Sequence, residues 1–267
     1  MTADVVVVGG RGKTGRAVID AVHARGGSAR PVGRAELHDA VGALRGATAV
    51  YVIAPNMHPD EPSFVRHVLA AARDAGVSRI VYHSVVAPYL PEMPHHLAKA
   101  ESERLVRAGG AQWTILQPCA YIQNFLPQLS GPDPAIDVVY DPDRRFTLVD
   151  LADVGESAAV AVLDDGALHG ATIELGGPAH VSVHDVALAA QAVLGREVPV
   201  RRTGGQEWAA GPGARLQARE RDWLLGMFEH YDRHGLLCGS LGSRAVLGRA
   251  PRSVADVVRR DLLAVPR

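Results

Sequence analysis

In the first half of the chain, short unbroken apolar runs alternate with longer stretches whose apolar positions recur every three or four residues. Val5 to Val8 is a β-branched run too short for a helix and apolar on both faces, which predicts a buried strand. From Arg16 the spacing turns helical, with Val18, Ile19 and Val22 facing inward and Arg16, Asp20 and His23 facing water. Ser28–Val32 predicts a second strand made irregular by Pro31, and a short helix follows through Leu37, Val41 and Leu44. Ala47–Ala54 predicts a third strand, Phe64–Ala75 an amphipathic helix stopped by Gly76, and Arg79–Ser84 a fourth strand. A loop rich in proline (Pro88, Pro91, Pro94) leads to a helix over His95–Ala108, and a fifth strand, Gln112–Gln117, ends at Pro118. Strands alternating with helices across short connections predict a doubly wound parallel sheet.

Beyond Pro118 the pattern is mixed. A short helix is expected over Tyr121–Leu129, strands over Ile136–Tyr140 and Arg145–Leu148, and a helix from Val149 through Leu163 with Asp150 as N-cap. Thr172–Leu175 predicts a strand, Ser182 caps a helix ending at Gly195, Val198–Arg202 predicts a strand, and Gln206–Leu263 reads as mostly helical. The expected fold class is α/β: a Rossmann-type doubly wound sheet with a smaller mixed α/β C-terminal lobe. Residues 1–130 would form the nucleotide-binding domain, with later strands returning to its sheet. Residues 131–267 would form a discontinuous lobe walling a substrate pocket.

Between the first strand and the first helix lies Gly9-Gly-Arg11-Gly12-Lys13-Thr14-Gly15. Residues without Cβ let backbone N–H groups approach a phosphate, and the helix N-terminus behind them favours negative charge. The spacing is G-x-x-G-x-x-G. It is not a P-loop, because Lys13 precedes the last glycine and Arg16 stands where that motif would continue. The reading is a dinucleotide site, the alternative being a tight turn without ligand. At the end of the second strand, Gly33-Arg34 carries no acid until Glu36. An arginine there, with Arg11 in the turn, suits a 2′-phosphate, so NADPH (NADP+) is the expected cofactor.

The chain of 267 residues is long enough for a large core, and its net charge of −1 gives no field favouring nucleic acid or an anionic membrane surface. No apolar run approaches bilayer length, and Met-Thr-Ala-Asp lacks a basic leader region, so a cytoplasmic protein is expected. The two cysteines, Cys119 and Cys238, make neither a disulfide framework nor a zinc site, and no metal is expected. Among the cations only Lys13 and Lys99 are lysine, against 26 arginines, which singles out both as candidate positions for a required compact ammonium, the alternative being chance retention.

Ligands of open α/β sheets lie outside the carboxyl ends of the strands. Ala54-Pro55-Asn56, Ser84, Gln117 and Cys119 fall at that edge. His95 and Lys99, four apart on one helix, share a face. Tyr89, Cys119, Tyr121 and Asn124 flank the same edge as candidate pocket residues, and Trp208, Trp223, Phe228 and Tyr231 could cover an aromatic substrate.

Ser84, His95 and Lys99 are spaced like the Ser and Tyr-x-x-x-Lys group of short-chain dehydrogenases. Five stretches extend the likeness. They are the glycine turn; Gly76-Val-Ser-Arg-Ile-Val-Tyr-His-Ser84-Val-Val; His96-Leu-Ala-Lys99-Ala-Glu-Ser-Glu; Trp113-Thr-Ile-Leu-Gln-Pro118-Cys-Ala-Tyr-Ile-Gln-Asn124-Phe; and Val149-Asp-Leu-Ala-Asp153-Val. Together they resemble the NmrA-like branch of the atypical short-chain dehydrogenase/reductase superfamily, in family order between residues 9 and 154. The resemblance implies that Gly9, Gly12 and Gly15 carry the pyrophosphate turn with Arg11, Lys13 and Thr14 between them. It also implies that Lys99 binds the nicotinamide ribose and that Pro118 lines the nicotinamide pocket. His95 stands in place of the superfamily's tyrosine, which leaves proton donation open between a neutral or protonated imidazole, Tyr89 or Tyr121, and solvent. The implied activity is NADPH-dependent reduction of a carbonyl, quinone or imine-like group of a small aromatic or polycyclic substrate, by a monomer or homodimer. The alternative is a non-catalytic NADP(H)-sensing regulator.

Overall fold

The protein is described here from a computed structural model covering residues 4–264; most of the Met-Thr-Ala-Asp stretch read for a leader lies outside the described residues. The order of elements is β1 (Asp4–Val8), α1 (Lys13–Ala24), β2 (Ser28–Val32), α2 (Ala40–Leu44), β3 (Ala49–Val52), α3 (Glu61–Asp74), β4 (Arg79–His83), α4 (Pro94–Ala108) and β5 (Gln112–Pro118). Then come α5 (Leu126–Leu129), β6 (Ile136–Val138), α6 (Leu151–Leu163), β7 (Ala171–Leu175), α7 (Val183–Leu194), β8 (Val200–Arg202), α8 (Gly205–Ala210), α9 (Ala218–His234), α10 (Leu241–Leu247) and α11 (Val254–Leu263).

Six parallel strands form one sheet in the order β2-β1-β3-β4-β5-β7. Val5–Val8 are buried on both faces, as their unbroken β-branched run requires. Pro31 is tolerated because β2 is an edge strand, paired only with β1. On one face α1 packs on α6, where Gly155 comes so close that a Cβ would lie 2.6 Å from the Ala17 carbonyl oxygen. Val18, Val22, Val154 and Ala158 join Val5, Val7 and Tyr51 in the core there. Helices α3 and α4 cover the other face over Val6, Val50 and Ile80. β7 comes from the second half of the chain and lies beside β5. A third cluster, including Met93, Ile122, Ile136, Val186 and Val257, joins the short β6-β8 pair to α7 and α11 beyond the carboxyl ends of the strands.

Two expectations need correction. Arg145–Leu148 is not a strand: Phe146 makes isolated bridges to Val181 and to Leu236, so the segment crosses between two partners without a ladder to either. Helix α3 begins at Glu61, not Phe64. Asp60 caps it by accepting from the Ser63 N–H, and Pro62 fits the first turn, where no N–H is needed.

Candidate active site

The strand order reverses at β1, with β2 on one side and β3 on the other, and a cavity of 1820 Å³ opens at that switch point and runs along the carboxyl edge of the sheet. That is roughly twice the upper end of a single small-molecule site, room for an extended ligand and a second one.

The glycine turn forms the near end. Gly9 has φ +79°, and a Cβ on it would meet the Ile53 carbonyl oxygen at 2.7 Å. A Cβ on Gly10 would meet Pro31 Cα at 2.7 Å, and one on Gly15 would meet Gly10 Cα at 2.4 Å. These three are required by packing. Gly12 is different: its nearest neighbour is the Gly9 carbonyl oxygen at 3.3 Å, so the fold needs its missing side chain least. It lies on the cavity wall, caps α1 without a side-chain hydrogen bond, and leaves the amides of Lys13, Thr14 and Gly15 at an open helix start. This cradle, which a Cβ at Gly12 would begin to fill, fits the diphosphate of a dinucleotide.

Arg34 borders the cavity with Leu37, His38 and His67. Arg11 does not. It pairs with Glu36, whose carboxylate also accepts the Gly33 N–H at 3.1 Å, and Arg11 Nη1 donates at 2.9 Å. The Arg11 bond, ahead of the backbone bonds, holds the Glu36 carboxyl down at about 2. Arg11 lies beside Gly33 in this exposed pair, so it would reach a cofactor only by exchanging its carboxylate partner. Ala54, Pro55 and Asn56 continue the wall, followed by Met57 in the left-handed region at φ +49°.

Further along, Lys99 reaches the cavity from α4. Its Nζ donates to Glu61 Oε1 at 2.9 Å and to the His83 carbonyl oxygen at 3.3 Å, while the Tyr82 hydroxyl donates to the same Glu61 oxygen at 2.5 Å. Two of the three ammonium protons are thus used and one remains. Glu61 is buried and was absent from the residues expected from sequence. The signal was Asp60-x-x-Ser63, which starts the helix early enough to include it.

Ser84 lines the cavity, but its hydroxyl donates to the buried Glu103 at 2.5 Å. Glu103 also collects Gln117 Nε2 at 2.6 Å and Arg107 Nη1 at 3.0 Å. Its proton is directed at α4 rather than into the cavity, so the catalytic use expected of Ser84 would require that bond to be exchanged.

Three histidines surround the reactive end. His83 is buried at the cavity wall, its ring held between the Tyr51 hydroxyl at 2.7 Å and the Tyr121 hydroxyl at 2.9 Å. Burial, then the charge of Lys99, pushes it down to about 3. His96 Nδ1 donates to the Ala87 carbonyl at 3.0 Å, and burial is the main cause that holds the ring at about 4. His95 borders the cavity with its buried Nδ1 unpartnered; burial, His96 and Lys99 press it down to about 3. All three are neutral at pH 7, so the only imidazole available at position 95 is a neutral one.

Tyr121, Pro118, Cys119 and Asn124 are on the wall. Tyr89, expected among the pocket residues, is not on this wall and is 71% exposed. Cys119 is buried, with its thiol directed at the Leu236 carbonyl. The far end is aromatic. Tyr140, Phe146 and Tyr231 pack with ring centres 5.1–5.7 Å apart, and Trp208 meets Phe228 edge-on at 5.0 Å. Trp223 lies outside this wall, under Arg219. Asp150 and Asp153 serve the start of α6, bonding Arg260 and Arg249 respectively. Among the described residues no group of His, Cys, Asp and Glu is placed to hold a metal, and no helix is long and apolar enough to cross a membrane.

Comparison with known proteins adds the following. The model of the NmrA-like family matches residues 34–207 and so begins after β2, leaving out the glycine turn. A (4-alkanoyl-5-oxo-2,5-dihydrofuran-3-yl)methyl phosphate reductase of Streptomyces griseus is 31% identical over 166 residues, 61% of this chain; the chain spans only 57% of that relative's length. An NAD(P)H azoreductase of Xenophilus azovorans is 28% identical over 218 residues, 73% of this chain and 75% of its own. Among solved structures, the NADPH-dependent quinone oxidoreductase QOR2 of Escherichia coli, complexed with NADPH, superposes with a TM-score of 0.80. It is 19% identical, with 96% of this chain and 99% of that one covered, and the likeness is one of fold.

Proposed function

The chain belongs to the NmrA-like family, and from that premise we propose that it is an NADPH-dependent reductase of a small, flat, electrophilic substrate. The observation that carries the reading is the single cavity joining the Gly12 cradle, the Lys99 ammonium and the aromatic wall. The reductase names of both sequence relatives and the NADPH complex of the similar fold support the same reading.

When bound, the reduced nicotinamide supplies a hydride. The chain's own residues do the rest. The amides at the start of α1 and Lys13 hold the diphosphate. Arg34 holds the 2′-phosphate, which prefers a guanidinium to the acid found in NAD sites. Lys99, fixed by Glu61 and the His83 carbonyl, spends its remaining proton on a nicotinamide ribose hydroxyl. Tyr140, Phe146, Phe228 and Trp208 exclude water and stack a planar acceptor.

The neutral histidines narrow the acceptor. His83, His95 and His96 carry no charge at pH 7, so no imidazolium stands ready to protonate a developing alkoxide. A quinone, whose reduced oxygen is a weak base, or an iminium carbon, which needs no proton, suits such a site better than a ketone. The test is NADPH oxidation on matched panels of quinones, iminium dyes and aromatic ketones. Turnover confined to the first two supports the reading. Ketones reduced as fast would refute the acceptor assignment, and tight NADPH binding with no turnover on any panel would favour the sensor.

A further inference from the structure

We propose that the Tyr121 hydroxyl donates a hydrogen bond to the diphosphate of the bound dinucleotide, and that the buried pair Tyr51–His83 is the device that aims it. The inference rests on the dinucleotide reading above and assigns a task to three side chains that reading leaves unused.

Tyr51 is fully buried in the middle of the sheet, and the one hydrogen-bond partner of its hydroxyl among the described residues is His83 Nδ1 at 2.7 Å. A buried hydroxyl whose proton meets nothing is costly. If Nδ1 carried hydrogen, the Tyr51 proton would have no acceptor, so Tyr51 donates and Nδ1 accepts. A neutral imidazole with Nδ1 bare carries its hydrogen on Nε2. Burial keeps His83 neutral.

Nε2–H therefore donates to the Tyr121 oxygen at 2.9 Å. With that oxygen accepting from His83, the Tyr121 proton points elsewhere. Burial raises the Tyr121 hydroxyl above its ordinary range, so it keeps that proton. The other polar group beside it is the Thr14 hydroxyl, in the first turn of α1, and Lys13 Nζ lies 5.7 Å from the centre of its ring. Tyr121 and Thr14 hydroxyls, the Lys13 ammonium and the open amides of the turn can all donate on one stretch of cavity wall, which carries no carboxylate there among the described residues. A set so rich in donors suits an oxyanion.

Tyr51 lies off the cavity wall and the His83 ring is bonded at both nitrogens, so both act as positioning residues. The chain Tyr51–His83–Tyr121 ends in the sealed core and cannot carry protons from solvent; what it fixes is direction. It also joins the chain's two lysines: Lys99 donates to the His83 carbonyl, and Lys13 faces the tyrosine that His83 holds.

The experiment has two parts. In the ligand-free protein, nitrogen-15 NMR of labelled histidine should find His83 protonated on Nε2; a proton on Nδ1 overturns the proposal. In calorimetry, Tyr121→Phe should weaken NADPH about tenfold to a hundredfold, the range of one charge-assisted hydrogen bond. It should leave adenosine 2′-monophosphate, which carries neither phosphate of the bridge and no nicotinamide half, unchanged. Tyr51→Phe, far from any ligand, should weaken NADPH by a smaller factor and yield a mixture of His83 tautomers. Unaltered NADPH affinity in Tyr121→Phe, or equal weakening of both ligands, overturns the assignment. Failure of the unmutated protein to bind NADPH would instead defeat the reductase reading from which the inference starts.

Discussion

The two ends of the cavity are built on different principles. At the nucleotide end the work is done by main chain: one stretch of seven residues supplies a turn, a helix start and the space over Gly12. At the reactive end the groups arrive from far apart, Glu61 from α3, His83 from β4, Lys99 from α4, Tyr121 from beyond β5 and the aromatic wall from residues 140–231. The first end tolerates side-chain change wherever backbone geometry survives. The second is a set of buried polar partners in which each group exists for another, so removing one leaves a neighbour stranded.

The largest expected effect tests that stranding. Lys99 is 17% and Glu61 5% exposed, so Lys99→Met leaves a buried carboxylate without its cation and should cost about 3–5 kcal/mol in urea denaturation. Restoring much of that stability by adding Glu61→Gln, which removes the stranded charge, would confirm the coupling. No recovery would mean that Lys99 acts through packing.

Acid should strike the reactive end first. His83, His95 and His96 are held at about 3, 3 and 4, below the ordinary 6.5. Between those values the unfolded chain binds protons that the folded one refuses, so stability rises with pH across the window. It is complete above about pH 6.5 and is lost as pH falls toward 4, at about 1.4 kcal/mol per pH unit for each such histidine. A denaturation midpoint flat from pH 7 to 4 would contradict the burial of these rings as neutral groups.

At the nucleotide end, two glycines should separate fold from ligand. Gly15→Ala drives a Cβ into Gly10 Cα and should cost about 1–3 kcal/mol or more of stability. Gly12→Val should leave the melting temperature within a few degrees and abolish NADPH binding, because the branched side chain occupies the cradle. Loss of folding in both would erase the distinction between them.

Smaller effects remain. Arg34→Ala should weaken NADPH about tenfold to a hundredfold, one charge-assisted bond, and leave NADH nearly unchanged. Equal weakening would show that Arg34 is not at the 2′-phosphate. His95→Phe should lower kcat by about threefold to tenfold, the range of one neutral hydrogen bond. The kcat profile should stay flat between pH 5 and 8 in both proteins, since the ring is already neutral there. A profile in the unmutated protein that titrates near pH 6.5 and vanishes in the variant would restore His95 as a charged acid.

Much of this was legible in the residues themselves. The Val5–Val8 run, the alternation of strands and helices and the glycine turn depend on local spacing, and they led directly to a parallel sheet with an anion site at its switch point. Lys99 stood out because the chain otherwise replaces lysine with arginine. Asp150 and Ser182 announced their helices by capping chemistry, and both cap as expected.

What the sequence could not fix was the partnership of side chains distant in the chain. Nothing local reveals that Glu36 pairs with Arg11, that Glu103 takes the Ser84 proton, or that Tyr89 is exposed while Tyr121 lies on the cavity wall. Those outcomes depend on which donors and acceptors the packed sheet and its helices bring within 3 Å, and on how far burial strips water from a titratable ring. Local pattern decided the backbone and the cofactor's cradle, because both are set by steric rules that act over a few residues. Tertiary structure decided the protonation and hydrogen-bond partners of the reactive end, because a buried polar group takes whatever partner the surrounding fold supplies.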